Sequence, residues 1–216
     1  VYTPAFERGY DPNTIVDDHK FEGGPSNATN TYAGKIPLRY AVAKSLNTVA
    51  WQVYEQVTPK VGLQYLKNMN FSSIVKDDYT LATSLGGFTK GVSPLEMASA
   101  YTALENDGMF RQPNCIKSIV DADENVVYSS QMTEVSIYEK DATRTMTDVL
   151  TTVMDSGTGA ALKLSNMPCA GKTGTTNDHK DGWFVGYTRY YTTSVWVGCD
   201  YPKSISNLSG STYPGQ

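Results

Sequence analysis

From Ile36 to Val57 the apolar residues Leu38, Val42, Val49, Val53 and Val57 return every three or four positions, the spacing of one helical face. Ser45 falls in register with that stripe, whereas Asn47, two residues on, points about 200° away on a regular helix. The two can serve one site only if the helix breaks there, with Asn47 then capping the segment "TVAWQVYEQV". Further on, "TPKVGLQYLKNM" predicts a helix with Thr58 as cap and Pro59 in its first turn. "SPLEMASAYTALENDG" predicts another, capped by Ser93, with Pro94 in the first turn, Glu96 completing a capping box and Gly108 as the stop. "YEKDATRTMTDVLTTVMDSG" is amphipathic and ends at Gly157. The period then drops to two. "NCIKSIVDADENVVYSS" reads as a hairpin turning near Ala122–Asn125, and "MPCAGKTGT", "GWFVGYT" and "TTSVWVGCD" read as three short strands. At the start, "VYTPAFERGY" resembles the tail of a helix stopped by Gly9, and residues 10–35 form an irregular, turn-rich excursion with short strand pieces. The stretch "YPKSISNLSGSTYPGQ" is also turn-rich. The expectation is an α+β fold, an antiparallel sheet flanked by helices, with a helical part at about 36–110 and a sheet part at about 111–201.

Composition narrows the function. With 40% hydrophobic and 19% charged residues in 216, a packed core is within reach. A net charge of −4 argues against nucleic acid as a partner, because phosphate binding needs a basic face. Cys115, Cys169 and Cys199 are far apart and only His19 and His179 are available, which disfavours a zinc site. The cysteines read as small buried strand residues. No Gly-rich phosphate loop joins a strand to a helix, so nucleotide binding has no support.

The chemistry concentrates in "GKTGTTNDHKDGWFVGY", residues 171–187. On a strand, Lys172 and Gly174 share one face and Thr173 the other. Gly174 lets a ligand backbone come close, and an exposed strand edge can accept an extended peptide as one more strand. The Thr175 hydroxyl suits a carboxylate and its N–H an oxyanion. A desolvated lysine helps to take a proton from a hydroxyl. Together these parts suit acyl transfer on a peptide. Trp183 and Phe184 read as core positions, with lining of a substrate groove as the alternative; His179 reads as solvated, and Asp181 as an anchor of the turn.

"SLN" at 45–47 and "KTGT" at 172–175 resemble the second and third motifs of penicillin-binding protein transpeptidases, in the serine D,D-transpeptidase and β-lactamase superfamily. "GKIPLRYAVAKSLNTVAW" at 34–51, "SLGGFTKGVSPLEMASAYTALENDGMFRQP" at 84–113, "SGTGAAL" at 156–162 and "DGWFVGYT" at 181–188 fit the same family in the same order. The likeness runs from Val1 to about Tyr201 and is strongest to the bifunctional class A members, which carry an upstream glycosyltransferase domain. It implies a β-lactamase/D,D-transpeptidase-like fold in which a nucleophilic serine attacks a D-Ala carbonyl of a peptidoglycan stem peptide, and an amine from a second stem resolves the acyl-enzyme. β-Lactam antibiotics would acylate the same serine. Ser45 would pass a proton to the leaving amine, Asn47 would hold the substrate amide and the base lysine, and Lys172 would orient Ser45. Thr173 and Thr175 would bind the terminal carboxylate beside Gly174. No metal and no organic cofactor is implied. The setting would be the extracytoplasmic face of the bacterial cell membrane, the parent protein being anchored by an N-terminal helix outside this chain.

One departure matters. The family's Ser-x-x-Lys precedes its Ser-x-Asn, and "VYTPAFERGY" corresponds to the segment just after that Ser-x-x-Lys. The nucleophile is therefore expected just before Val1, the chain to be inactive alone, and the missing N-terminal part of the same protein to be a partner. "SIVK" at 73–76 satisfies the pattern but comes after Ser45–Asn47 and sits in a predicted loop. Two other readings stay open: a non-catalytic module that senses β-lactams or binds peptidoglycan, and a β-lactamase-like hydrolase. The hydrolase would need an added carboxylate over a water, with Glu55, Glu96 and Glu105 as candidates.

Overall fold

A computed structural model describes all 216 residues. Helix α1, Tyr2–Phe6, is closed by main-chain bonds from Gly9 to Phe6 and from Tyr10 to Ala5, with Gly9 at a φ of +89°. Only glycine adopts that backbone freely, which is why the helix stops there. Strands β1, Ile15–Asp18, and β2, Gly34–Pro37, pair antiparallel and close the ends of the excursion. Next come α2, Leu38–Ala43, α3, Asn47–Val57, and α4, Pro59–Asn68. The predicted break falls between α2 and α3. Two short 3₁₀ turns, Lys76–Asp78 and Leu81–Leu85, lead to α5, Pro94–Glu105. Its capping box is complete: the Ser93 hydroxyl accepts from the Glu96 amide, and the Glu96 carboxylate accepts from the Ser93 amide at 2.8 Å. Strand β3, Met109–Arg111, is succeeded by a hairpin of β4, Ser118–Val120, and β5, Val126–Ser129, and β3 pairs with β6, Glu134–Ser136.

Helix α6, Lys140–Ser156, lies at the centre of the molecule. Its apolar residues Val149, Leu150 and Val153 meet Leu38, Val42, Val49, Val53 and Val57, all at most 2% exposed. The apolar stripe of the sequence is thus the buried face of α2 and α3. The same cluster takes in Ala170 and Tyr187 from the last sheet, so helices and sheet share one core. That sheet is β7, Ala170–Thr175, β8, Gly182–Tyr187, and β9, Thr192–Val197, antiparallel in the order β7-β8-β9. Strand β7 is therefore an edge. The fold is the α+β arrangement expected.

Two expectations change. Asn47 does not cap α3: the capping geometry falls on Leu46, whose backbone is extended, and Asn47 is the first helical residue. Its side chain is drawn instead to the Ser26 carbonyl, 2.8 Å away. The cysteines are not buried strand residues. Cys115 is exposed in the loop between β3 and β4, and Cys169 and Cys199 are half-buried beside the ends of the last sheet's strands.

Candidate active site

The corner between α2 and α3 is held in three ways. The Ser45 amide bonds to the Val42 carbonyl and the Leu46 amide to the Ala41 carbonyl, which ends α2. Ser45 sits in the left-handed region at a φ of +55°, a strained conformation worth about 1 kcal/mol or more for a residue with a side chain. Across from it, the turn after α6 presses against the end of α2: a Cβ on Gly157 would come 2.4 Å from the Ala43 carbonyl oxygen, so only glycine fits. The Thr158 amide bonds to that same carbonyl at 3.0 Å, and the Lys44 ammonium to the Ser156 carbonyl at 2.9 Å.

These contacts bring Ser45 to β7. The Lys172 Nζ donates to Ser45 Oγ at 2.8 Å and to the Thr173 carbonyl at 2.8 Å. Burial pulls the Lys172 pKa down to about 8. Two residues 127 apart in sequence thus form a hydroxyl–amine pair in which the amine is close to losing its proton at neutral pH.

The edge of β7 is open for a peptide. The Thr176 amide bonds to the Asp181 carbonyl, and the register pairs Gly174 with Trp183 and Lys172 with Val185. Hydrogen-bonded pairs recur every two residues in an antiparallel ladder, so Lys172 and Gly174 spend their main-chain groups on β8. Thr173 and Thr175 turn theirs to the free edge. Their side chains lie on the sheet face opposite Lys172. The Thr173 hydroxyl, 9% exposed, pairs with that of Thr158 at 2.6 Å. The Thr175 hydroxyl is exposed and accepts from the Gly210 amide at 3.0 Å. Gly174 would carry a Cβ 3.3 Å from that of Trp183, so its face is tight rather than blocked.

On the other side of Ser45 lies a cleft of about 290 Å³, lined by Asn27, Thr31, Tyr32, Tyr40 and Ser45 among others. Its loop is anchored by Asp18, only 1% exposed. The Asp18 carboxylate accepts from Asn27 Nδ2 and the Ala33 amide, each at 2.7 Å, and from the Thr48 hydroxyl in α3. Burial pushes its pKa up, but the bonds from Thr48, Ala33 and Asn27 outweigh that and hold it below the usual aspartate value.

The structure brings Ser45 and Lys172 into direct contact, while Thr173 meets the lysine only through its main-chain carbonyl and its hydroxyl pairs with Thr158 on the other face. Asn47 is turned into the loop that holds Ser26, and Thr175 lies at the far end of the β7 edge. Phe184 folds over Gly171 and Gly186, while Trp183 tilts against Trp196, whose Nε1 donates to Asp181. His179 is exposed and tethered through Nδ1 to the Leu208 carbonyl. Ser73 donates to the Gly91 carbonyl, on a loop beside α5. Of the three glutamates, Glu96 caps α5, Glu105 pairs with Arg111, and Glu55 is exposed on α3. None touches Ser45 or Lys172. Sequence reasoning missed Asp18, Thr158 and Gly210; for Thr158 the signal was the "SGTG" turn itself.

Residues 1–204 match the family model described as the penicillin binding protein transpeptidase domain. The chain belongs to this family. Among curated relatives it is 34% identical to penicillin-binding protein 4 of Bacillus subtilis (strain 168), over 96% of this chain and 34% of the relative. It is 37% identical to penicillin-binding protein 1A of Aquifex aeolicus (strain VF5), over 87% of this chain and 25% of the relative. It therefore spans a quarter to a third of such relatives. Among solved structures, penicillin-binding protein 1A from Haemophilus influenzae superimposes with a TM-score of 0.85 at 20% identity, over 97% of this chain and 38% of that one. PonA1 from Mycobacterium tuberculosis in complex with penicillin V gives 0.84 at 23% identity, over 99% and 63%. These likenesses carry the fold. No helix of the chain is long and apolar enough to cross a membrane.

Proposed function

We propose that this chain binds the stem peptide and handles protons in a serine D,D-transpeptidase that crosslinks peptidoglycan on the extracytoplasmic side of a bacterial membrane. The observation that carries this reading is the Lys172–Ser45 bond at the open edge of β7. A stem peptide lies along that edge as an added strand, with the Thr173 and Thr175 main-chain groups as its partners. A serine nucleophile gives its proton to an adjacent base as its oxygen bonds to the penultimate D-Ala carbonyl carbon, and the Thr175 N–H takes the oxyanion. Ser45, which accepts from Lys172, gives its own proton to the leaving D-alanine amine and is reprotonated by the lysine. Asn47 holds the substrate amide through the carbonyl end of its side chain. An amine from a second stem then attacks the acyl-enzyme and closes the crosslink. β-Lactams acylate the same nucleophile.

Ser73, in the one Ser-x-x-Lys of these 216 residues, does not suit that role, because its hydroxyl is spent on the Gly91 carbonyl. The hydrolase reading loses its candidates, since Glu96 and Glu105 are engaged elsewhere and Glu55 faces solvent. One observation favours a second reading. Ser45 is strained, and its lysine is pulled to about 8, which are also properties of a nucleophile with its own base. Intact mass of this chain after incubation with excess benzylpenicillin separates the two. An unchanged mass supports the first. An adduct mapped to Ser45 replaces it with the second, and an adduct at Ser73 overturns both.

A further inference from the structure

Residues 205–216 lie beyond the 204 that match the family model, yet they fold back onto the candidate site. The Ile205 amide bonds to the His179 carbonyl at 2.9 Å, and the Leu208 carbonyl accepts from His179 Nδ1 at 2.7 Å. Leu208 is fully buried, and a Cβ on Gly182 would come 2.7 Å from its Cδ1. These contacts press the turn at Ser209–Thr212 flat on the ladder between β7 and β8. A Cβ on Gly210 would lie 2.4 Å from the Trp183 carbonyl oxygen, 2.7 Å from the Gly174 nitrogen and 2.8 Å from the Gly174 oxygen. All three are main-chain atoms of paired strands, so none can give way.

Gly210 places its amide 3.0 Å from Thr175 Oγ1. That hydroxyl accepts this one bond and donates none. An N–H on one lone pair excludes the hydroxyl proton from that side and leaves it available to a ligand acceptor. We infer that residues 205–215 form a strap that holds the Thr175 hydroxyl as a donor for the carboxylate of a ligand on the β7 edge, with Gly210 as the positioning residue. The inference rests on the peptide-binding reading above, and it adds a control element for carboxylate recognition. Without the strap, the hydroxyl rotates freely and has no fixed preference between an acceptor and a donor ligand.

The test compares benzylpenicillin with its methyl ester, which lacks the charge, by NMR titration of this chain. The unaltered chain is expected to bind the acid about tenfold more tightly than the ester, the worth of one charge-assisted hydrogen bond. In Gly210→Ala the strap lifts, and the ratio is expected to fall to about one while ester affinity holds. A chain that merely lost stability would weaken both ligands alike. If Gly210→Ala keeps the preference, the inference is overturned and the peptide-binding reading stands. If the unaltered chain shows no preference for the acid, both fall. Should Gly210→Ala fail to fold, Thr175→Val supplies the second readout: exchange of the Gly210 amide should become about tenfold faster, and an unchanged rate overturns the inference.

Discussion

Two charges shielded from water, Asp18 buried and Lys172 half-buried, flank the corner where α2 meets α3, and the protein treats them in opposite ways. Asp18 is fully served: Asn27, Ala33 and Thr48 all donate to it, and the bonds keep it ionised despite its burial. Lys172 has two acceptors, a hydroxyl and a carbonyl, but no carboxylate, so burial acts on it unopposed and draws it toward the neutral form. A buried charge with complete partners is a structural fixture, whereas one without a counter-ion holds free energy that chemistry can use. Asp18 builds the wall of the candidate site; under the proposed function, Lys172 works in it.

This contrast predicts opposite signs on removal. Asp18→Ala leaves the Thr48 hydroxyl and the Ala33 amide without partners in a closed space, and should cost about 3 kcal/mol in urea unfolding. Asp18→Asn should cost less, because one acceptor oxygen survives. The pH dependence has a definite sense. The Asp18 pKa is lower folded than unfolded, so its stabilisation is complete above the ordinary aspartate value and drains away as pH falls below about 4. The Asn variant should lack that part of the acid unfolding. A loss near zero for Asp18→Ala would make the carboxylate dispensable and end the comparison.

Lys172→Met should do the reverse and stabilise the chain while removing its function. The lysine falls from 10.5 to about 8 on folding. Between those values the unfolded chain binds more protons, so the penalty for the buried ammonium is complete below pH 8 and fades as pH rises toward 10.5. At roughly 1.4 kcal/mol per pH unit, less the two lost hydrogen bonds at about 1 kcal/mol each, the net gain at pH 7 is about 1 kcal/mol. Thermal unfolding at about pH 7 and about pH 10.5 checks this. A gain that does not shrink with pH would show that packing, not charge, explains it.

The two charges also differ in how far they were legible in the sequence. Lys172 stood out because its neighbours Thr173, Gly174 and Thr175 carry chemistry within one strand. The break at Ser45 was legible too, since a 3.6-residue period cannot bring Ser45 and Asn47 to one site. Caps at Thr58 and Ser93 are local and were read correctly. Asp18 was not legible. Its partners Asn27, Ala33 and Thr48 are 9, 15 and 30 residues away, in a stretch whose polar residues all look like turn formers. Asn47 was misread for a related reason: the Ser26 carbonyl, 21 residues off, wins its side chain over the local cap. Gly210 acts only through contacts that the folded sheet creates.

Thr158 belongs between these extremes. Its hydroxyl meets Thr173 on the sheet face away from Lys172. Thr158→Val should cost about 1 kcal/mol, because the Thr173 hydroxyl is left nearly enclosed. It should also weaken binding of carboxylate ligands while leaving the Lys172 pKa near 8, which an NMR titration of the lysine side chain reads directly. A moved lysine would mean that the two faces of β7 are coupled rather than independent.

The smallest effect is the most diagnostic for the site's boundary. Ser73-Ile74-Val75-Lys76 has the spelling of a nucleophile motif but none of its surroundings. A catalytic pair needs a serine facing a desolvated amine, as Ser45 faces Lys172. Ser73 instead donates to the Gly91 carbonyl from a half-buried loop, while Lys76 is exposed and opens a 3₁₀ turn. Four residues that begin in a loop do not place positions one and four on one helical face, and nothing buries the lysine. Ser73→Ala should therefore change stability by no more than about 0.5 kcal/mol. It should leave penicillin binding and any acylation unchanged, measured side by side with Ser45→Ala, which breaks the Lys172 contact. A loss of labelling in Ser73→Ala alone would move the nucleophile to a loop that shares no contact with Lys172.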